Sequence, residues 1–308
     1  VLVFIALFAI GTGRCFSQPD SHAIVPNILP MEHFTNAVAW GSSGQQIAVI
    51  AGPAIGGVLL VAGAPVVFAV VTSLFAANLA LMLMITSRQQ TFAREPMSVS
   101  SMFAGLKFIF NRQIILGAIS LDLFAVLFGG AIAMMPIYAA DILNVGEVGL
   151  GFLRSAIAVG GAACAIGLTQ YPIRRHAGRA LLISVAVFGA GTIVFGLSVN
   201  LYLSLGALVI AGGADAISVF IRQSMVQLGT PDEMRGRVTS VNSMFVGASN
   251  ELGEFESGTV AVWVGVVPSV VIGGIATIAV AALWAKLFPR LRSVDALSAE
   301  GIANQSEA

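Results

Sequence analysis

Hydrophobic stretches of about twenty residues recur along this 308-residue chain, separated by short polar turns. An α-helix rises about 1.5 Å per residue, so roughly 20 residues cross the ~30 Å hydrocarbon core of a bilayer. The pattern predicts an all-α polytopic membrane protein with spans near residues 1–24, 35–61, 65–85, 114–139, 148–170, 179–199, 201–226, 237–264 and 266–287.

Composition agrees with this pattern and excludes several classes of protein. Hydrophobic residues make up 57% of the chain and charged residues only 10%, with a formal net charge of zero. A neutral chain lacks the basic excess that binding to nucleic acid requires. The two cysteines, Cys15 and Cys164, lie in apolar segments without the spacing of a disulfide framework or a metal site. We therefore predict no metal and no cofactor.

The basic residues divide unequally between the two sides of the predicted membrane. One side holds Arg88, Arg94, Lys107, Arg112, Arg174, Arg175, Arg179, Arg222, Arg235, Arg237, Lys286, Arg290 and Arg292. The loops on the other side hold no lysine or arginine, only Asp141 and Glu147. Since basic loops stay in the cytoplasm, this asymmetry predicts that the first side, and the C-terminus with it, is cytoplasmic.

A weak internal repeat suggests how the spans are grouped. A shift of 201 positions aligns Pro30-Met31-Glu32 with Pro231-Asp232-Glu233 and Gly57 with Gly258. A parallel duplication would produce this register, although Pro and Glu are also common at helix starts. If the repeat is real, the first three spans correspond to the last three, and three helices are missing before Val1.

The predicted domains follow from this grouping. Residues 1–86 are the remainder of an N-terminal bundle, 87–113 a cytoplasmic central loop, 114–288 a six-helix bundle and 289–308 a cytoplasmic tail. The central loop includes an amphipathic portion around 102–110. The tail beyond Arg292 is small and polar, so we expect it to be disordered.

Three runs of sequence resemble a known family of transporters. Residues 48–57, Ala-Val-Ile-Ala-Gly-Pro-Ala-Ile-Gly-Gly, resemble the Gly-Pro-x-x-Gly-Gly signature of major facilitator superfamily antiporters, and Arg14 stands where that family has an intramembrane arginine. Residues 230–238 and 247–254 resemble the branch of transmembrane secretion effectors, which includes enterobactin-exporter-like proteins. The chain departs from the antiporter signature at Ala39 and Ala48, which replace glycines. The loop 174–179 resembles the second-half copy of the family's gating loop, but Arg175 stands there in place of an acid.

The resemblance carries several expectations about function. It implies a twelve-helix fold of which this chain holds the last nine helices, in the bacterial inner membrane and monomeric when complete. It also implies proton-coupled export of a small organic molecule, such as a drug, a siderophore or a metabolite, by alternating access. The missing helices leave one alternative, a non-transporting fragment or interaction subunit. An intramembrane enzyme would need a paired catalytic constellation that the chain lacks, so we predict no enzyme.

The antiporter-like motif has a structural and a mechanistic interpretation. Gly52 and Gly56 have the spacing that lets two helix backbones approach closely, with Gly57 beside them. Pro53 removes a backbone donor and permits a bend. The motif is therefore either a packing patch or a flexing joint that also seals the transporter.

Charges inside apolar segments are the candidates for coupling. Arg14 cannot lose its proton, so it must find an acid, water or an interface. Asp122 and Asp215 are single acids in apolar surroundings, while Glu251 and Glu254 share one face in the outer half of their span. Each is either a residue of substrate or proton handling or a structural partner.

A charged turn precedes the eighth predicted span. Asp232, Glu233, Arg235 and Arg237 lie together there. Charges at a helix end usually fix its orientation in the bilayer, and a latch that depends on the transport state is the alternative. No nucleotide-binding motif of the G-x-x-x-x-G-K-[ST] kind occurs, so an ion gradient is the expected energy source.

Overall fold

The computed structural model describes residues 31–84, 99–173 and 175–297, and every described element is helical. Arg14 and the first predicted span lie outside the described residues. The helices are α1 Met31–Val61, α2 Ala64–Met84, α3 Val99–Asn111, α4 Gln113–Phe128, α5 Ala131–Ile137, α6 Gly146–Gln170, α7 Ala177–Leu197, α8 Leu201–Leu228, α9 Asp232–Val264, α10 Val266–Leu287 and α11 Pro289–Ser293. The other predicted spans each fall on helices, within a few residues of their predicted bounds except for α9, which begins five residues earlier.

Six described segments are long and apolar enough to cross a membrane: Ala64–Met84, Gln113–Ile142, Gly146–Gln170, Ala177–Leu197, Leu201–Leu228 and Val266–Leu287. Helix α9 is long enough at 33 residues. It is absent from this set of described helices because of its serines and carboxylates, which lower its hydropathy. The prediction of a long helix over 237–264 is therefore confirmed, but this helix is less apolar than the six segments above.

The chain divides into two compact units. Of the described residues, the first unit contains 31–49 and 63–84, and the second contains 50–62, 99–173 and 175–297. In the first unit, α2 buries none of its side chains and is apolar on every side, which suits contact with hydrocarbon. In the second unit, α4, α7, α8 and α10 surround a core that includes Leu121, Leu181, Ile221 and Trp284.

The predicted single helix over 114–139 is broken in the structure. Helix α4 ends at Phe128, and α5 begins at Ala131 and continues as a π-helical turn, Tyr138–Ile142. Two adjacent glycines, Gly129 and Gly130, occupy the break. Glycine disfavours a helix interior. The Ala125 carbonyl still accepts from the Gly129 amide at 2.9 Å, and it also accepts from Thr277 Oγ1 of α10 at 3.2 Å. The last turn of α4 therefore keeps its backbone bonding as far as the Gly129 amide, and Thr277 ties that turn to α10.

The beginning of the tail is ordered, contrary to the sequence prediction. Val294 is buried, and its carbonyl accepts a bond from the Gly178 amide at 2.9 Å. The Asp295 carbonyl accepts from the Ala177 amide at 3.0 Å, and its carboxylate accepts from the His176 amide at 2.8 Å. The first amides of a helix lack partners within the helix, so this segment caps the start of α7.

The ends of the second unit differ in charge. Short connections alternate the direction of its helices, so the start of α4, the end of α8 and the start of α9 share one end. We call this the basic end, since it carries Lys107, Arg112, Arg175, Arg179, Arg235, Arg237, Lys286, Arg290 and Arg292. Asp141 and Glu147 lie at the opposite end. The charge asymmetry read from the sequence thus corresponds to two ends of one folded unit.

Candidate functional site

A buried ion pair joins α4 to α8. Arg222 Nη2 lies 3.1 Å from Asp122 Oδ1, and the two side chains are 4% and 7% exposed. The α4 segment around Asp122, Ile-Ser-Leu-Asp-Leu-Phe-Ala, is otherwise almost entirely apolar. Taking two charges out of water is costly and is tolerated only when they are paired closely. The pair is therefore the main electrostatic contact between these helices.

The depths of the charged residues explain why they meet. Asp122 lies nine residues from the start of α4, or about 14 Å along the helix. Arg222 lies six residues from the end of α8, about 9 Å, and Asn242 ten residues from the start of α9, about 15 Å. All three depths are measured from the basic end. An arginine side chain bridges the remaining difference.

Asn242 gives the guanidinium a second partner. Its Oδ1 accepts a hydrogen bond from Arg222 Nη1 at 3.4 Å. Arg222 Nε is buried and has no hydrogen-bond partner in the described part of the chain. A guanidinium carries five N–H donors, so this one is held by α4 and α9 while part of its bonding capacity is unused.

Asp215 lies on the same face of α8 as Arg222, about two helical turns farther from the basic end. It precedes Ser218 by three residues and Arg222 by seven, spacings that place all three on one side of α8. The Asp215 side chain is half-buried, and no hydrogen bond or ion pair joins its carboxylate to another described residue within contact distance. The cluster thus holds two carboxylates and one guanidinium.

One cavity connects the two carboxylates. Its lining residues are Asp122, Ala125, Val126, Val185, Phe188, Asp215 and Ser218. They come from α4, α7 and α8, and most of them are apolar. The cavity has a volume of about 10 Å³, room for about one water molecule, so it suits a water or a proton and not an organic molecule. We call Asp122, Asp215, Ser218, Arg222 and Asn242 the polar cluster.

The broken helix lies directly beyond the cavity, and glycines pack closely around it. A Cβ atom at Gly253 of α9 would lie 2.7 Å from the Val126 carbonyl oxygen. A Cβ at Gly130 would collide with Gly253 and with Ser257 Oγ. The last turn of α4, which carries two cavity residues, is therefore held against α9 by backbone contact.

The antiporter-like motif packs against α6. A Cβ at Gly57 would lie 2.7 Å from the Glu147 carbonyl oxygen, and one at Gly151 would lie 2.6 Å from the Pro53 carbonyl oxygen. Ser155 Oγ donates a hydrogen bond to the Ile50 carbonyl at 2.9 Å. These contacts show a close crossing of two helix backbones.

The crossing uses a different glycine from the pair that the sequence indicated. A Cβ at Gly52 or at Gly56 would meet no atom of the described chain within 4 Å. A close approach at the Gly52–Gly56 pair stays a prediction, and the close approach to α6 is made by Gly57, one position along. Pro53 contributes its carbonyl oxygen to the contact.

Other predicted residues lie apart from the polar cluster. Glu251 and Glu254 are exposed, on a side of α9 away from its buried positions Ser249, Gly253 and Ser257. In the charged turn, Glu233 and Arg235 are exposed and Arg237 is half-buried, while the side chain of Asp232 lies outside the description. None of these residues is among those that line the cavity of the polar cluster.

Sequence reasoning missed two members of the cluster. It assigned Arg222 to the basic loops, although the structure buries it, and it passed over Asn242. One signal was available for Arg222, since it shares a helix face with Asp215 and Ser218 and lies six residues inside the end of α8. Asn242 carried no such signal, because polar residues are common along α9.

Long apolar helices that enclose a buried ion pair are typical of a polytopic membrane protein. The model of the transmembrane secretion effector family, a group within the major facilitator superfamily, matches residues 1–307. The chain belongs to this family, and its fold is the all-α fold of the superfamily. It is therefore a membrane transport protein, because the members of this family are transporters and not enzymes. The comparison with curated proteins gave no match.

Proposed function

We propose that this transporter is a secondary active exporter of a small organic molecule, driven by protons that bind at the polar cluster. The single observation that carries the proposal is the cavity shared by Asp122 and Asp215, with Arg222 paired to only one of them. Ionisable residues buried in a membrane protein are costly and usually mark the path of a substrate or an ion.

Counting charges supports a single proton at this cluster. Two ionised carboxylates and one guanidinium give a net charge of minus one, and one bound proton brings the cluster to neutrality. A buried cluster is more stable without net charge, because little solvent screens it. Proton binding and release would therefore change the interaction between α4 and α8.

The contacts divide the roles of the two acids. Asp122 is held by Arg222 at 3.1 Å, so its charge is already compensated. Asp215 has no such contact among the described residues and is the better proton carrier. When Asp215 is ionised it competes with Asp122 for Arg222, and this competition is the proposed link between the proton and helix movement in alternating access.

Substrate, direction and topology rest on the resemblance to enterobactin-exporter-like proteins and on the charge asymmetry. They make a siderophore, a drug or a metabolite the expected cargo. The basic end and the C-terminus would face the cytoplasm of a bacterium, across its inner membrane. Glu251 and Glu254 are proposed to line an outer vestibule, and Arg14 to face the central cavity.

The test uses the chain reconstituted in proteoliposomes, with a panel of dyes and a catecholate siderophore as cargo. Asp215→Asn should abolish uptake driven by an imposed proton gradient, a loss of at least tenfold, because the carrier can no longer ionise. Exchange of labelled for unlabelled cargo without a gradient should continue, since it needs no net proton movement.

Asp141→Asn is the matched control, because it makes the same substitution at an exposed acid outside the polar cluster, and we expect it to retain gradient-driven uptake. Equal uptake by Asp215→Asn and the unaltered chain would refute Asp215 as the carrier. A dependence on a sodium gradient that persists without a proton gradient would refute proton coupling itself.

A further inference from the structure

Helix α3 exposes two aromatic rings and a lysine along one line. Phe103 is 66% exposed and Phe110 is 60% exposed, and Lys107 is exposed between them. Spacings of four and three residues place all three on the same side of the helix. We call Phe103, Lys107 and Phe110 the aromatic–lysine face. Two exposed phenylalanines so close together are unfavourable in water and indicate a covering phase or partner.

The opposite side of α3 is fixed, so this face cannot turn inward. Ile109 is 1% exposed and lies in a core cluster with Ile115 and Val238. A Cβ at Gly105 would lie 2.9 Å from the Arg237 carbonyl oxygen, which shows that α3 touches the backbone of α9. The packing therefore determines which residues of α3 remain outside.

The position of α3 places its exposed face at the level of the membrane surface. Helix α3 ends at Asn111, and the apolar span that begins with α4 starts at Gln113. A segment joined so closely to the start of a span lies where headgroups meet hydrocarbon. The same end of the unit carries Arg235 and Arg237 on the neighbouring α9.

We propose that the aromatic–lysine face docks an anionic phospholipid of the adjacent leaflet. The rings of Phe103 and Phe110 would enter the boundary of the acyl chains, and the Lys107 ammonium would pair with the headgroup phosphate. Amphipathic helices with aromatic and basic residues bind membrane interfaces in this way. The lysine stem can reach the phosphate while its methylenes stay beside the rings.

The size of the face favours a lipid over a protein partner. A stable protein interface buries about 800 Å² on each side, contributed by some 20 to 30 residues. Three residues on about two turns of helix are far fewer than that. Their mixture of rings and a cation, among further cations at the basic end, matches the charge and the apolar chains of an anionic lipid.

Binding can be measured on the purified chain in detergent with a fluorescent, short-chain phosphatidylglycerol. Lys107→Gln should raise its Kd about fivefold, since a cation near an anionic surface contributes about 1 kcal/mol. The Kd for the matching phosphatidylcholine should not change. Arg154→Gln is the control, because Arg154 is also exposed but lies two turns inside the start of α6, toward the opposite end. Equal Kd values for the unaltered chain and Lys107→Gln would overturn the proposal.

Depth in the bilayer tests the occupant. In a chain with Cys15 and Cys164 replaced by alanine, nitroxides at Phe103→Cys or Phe110→Cys should be more accessible to oxygen than to a water-soluble nickel chelate in liposomes. Preference for the chelate would show an aqueous face, and exclusion of both reagents would show a protein occupant. Either result would overturn the proposal. Elution as one peak at the position of the unaltered chain shows that each variant is folded.

Discussion

At the residue scale, Arg222 determines the stability of the polar cluster, because its charge is buried and depends on Asp122. Asp122→Asn would leave the guanidinium at 3% exposure without its ion-pair partner. Breaking a buried ion pair from one side costs about 3–5 kcal/mol. We therefore expect a marked fall in the midpoint of thermal unfolding in detergent. The double variant Asp122→Leu with Arg222→Met should recover most of the loss, since it removes both charges.

Asp215→Asn provides the comparison for this prediction. It removes the carboxylate that has no close partner and leaves the Asp122–Arg222 pair intact, so the thermal midpoint should stay near that of the unaltered chain. If Asp215→Asn destabilised the protein as much as Asp122→Asn, the assignment of separate roles to the two acids would be wrong. Substitution of Asp122 thus tests the stability of the protein, and substitution of Asp215 tests proton coupling.

Hydropathy alone singled out Asp122 and Asp215, because an acid in an apolar segment is rare. It did not single out Arg222, since counting basic residues by side treats every arginine near a helix end alike. The difference between a surface arginine and a buried one depends on what the neighbouring helices present. Here Asn242, on the neighbouring helix α9, supplies a hydrogen-bond acceptor for Arg222, and no local sequence pattern predicts it.

At the element scale, the adjacent glycines at 129–130 could have predicted the break between α4 and α5, because glycine is a poor helix former. What makes the break tolerable was not predictable. The Ala125 carbonyl, which already accepts from the Gly129 amide, receives a second bond from Thr277, which is 152 residues away in sequence. Local propensity therefore indicates where a helix is weak, and tertiary contacts decide whether it opens.

The crossing of α1 and α6 gives a prediction with an internal control. Gly57→Leu should destabilise the second unit, since even its Cβ would lie 2.7 Å from the Glu147 carbonyl oxygen. Overpacking of this kind costs about 1–3 kcal/mol. Gly52→Leu lies in the same motif, where a Cβ meets no described atom within 4 Å. The thermal midpoint measured for both variants checks the difference.

If Gly52→Leu lowered the midpoint as much as Gly57→Leu, the motif would act through contacts other than this crossing. Transport by Gly57→Ala gives a second readout. Alanine adds only the Cβ, so a small loss of stability with a large loss of transport would favour the flexing joint, while parallel losses would favour the packing patch.

At the scale of the whole molecule, the positions of the helices in the described residues were accessible from the sequence, because each bilayer crossing needs about the same length of apolar chain. Contacts between distant parts of the chain were not accessible. The segment 293–297 shows this limit, since its composition predicts disorder while its backbone caps α7 more than a hundred residues earlier. Here the segment is ordered because its carbonyls accept from the free amides at the start of α7.

Leu291 should therefore be important for a helix far from it in sequence. It is fully buried, and a Cβ at Gly178 would collide with its backbone. Leu291→Ala should cost about 2–5 kcal/mol as a large-to-small change in a core. Hydrogen exchange should then accelerate at the amides of Ala177 and Gly178, because their acceptors in the tail would be released. Leu287→Ala, at an exposed leucine one turn earlier, should leave that exchange unchanged, and faster exchange in both variants would mean that the tail does not hold α7 through Leu291.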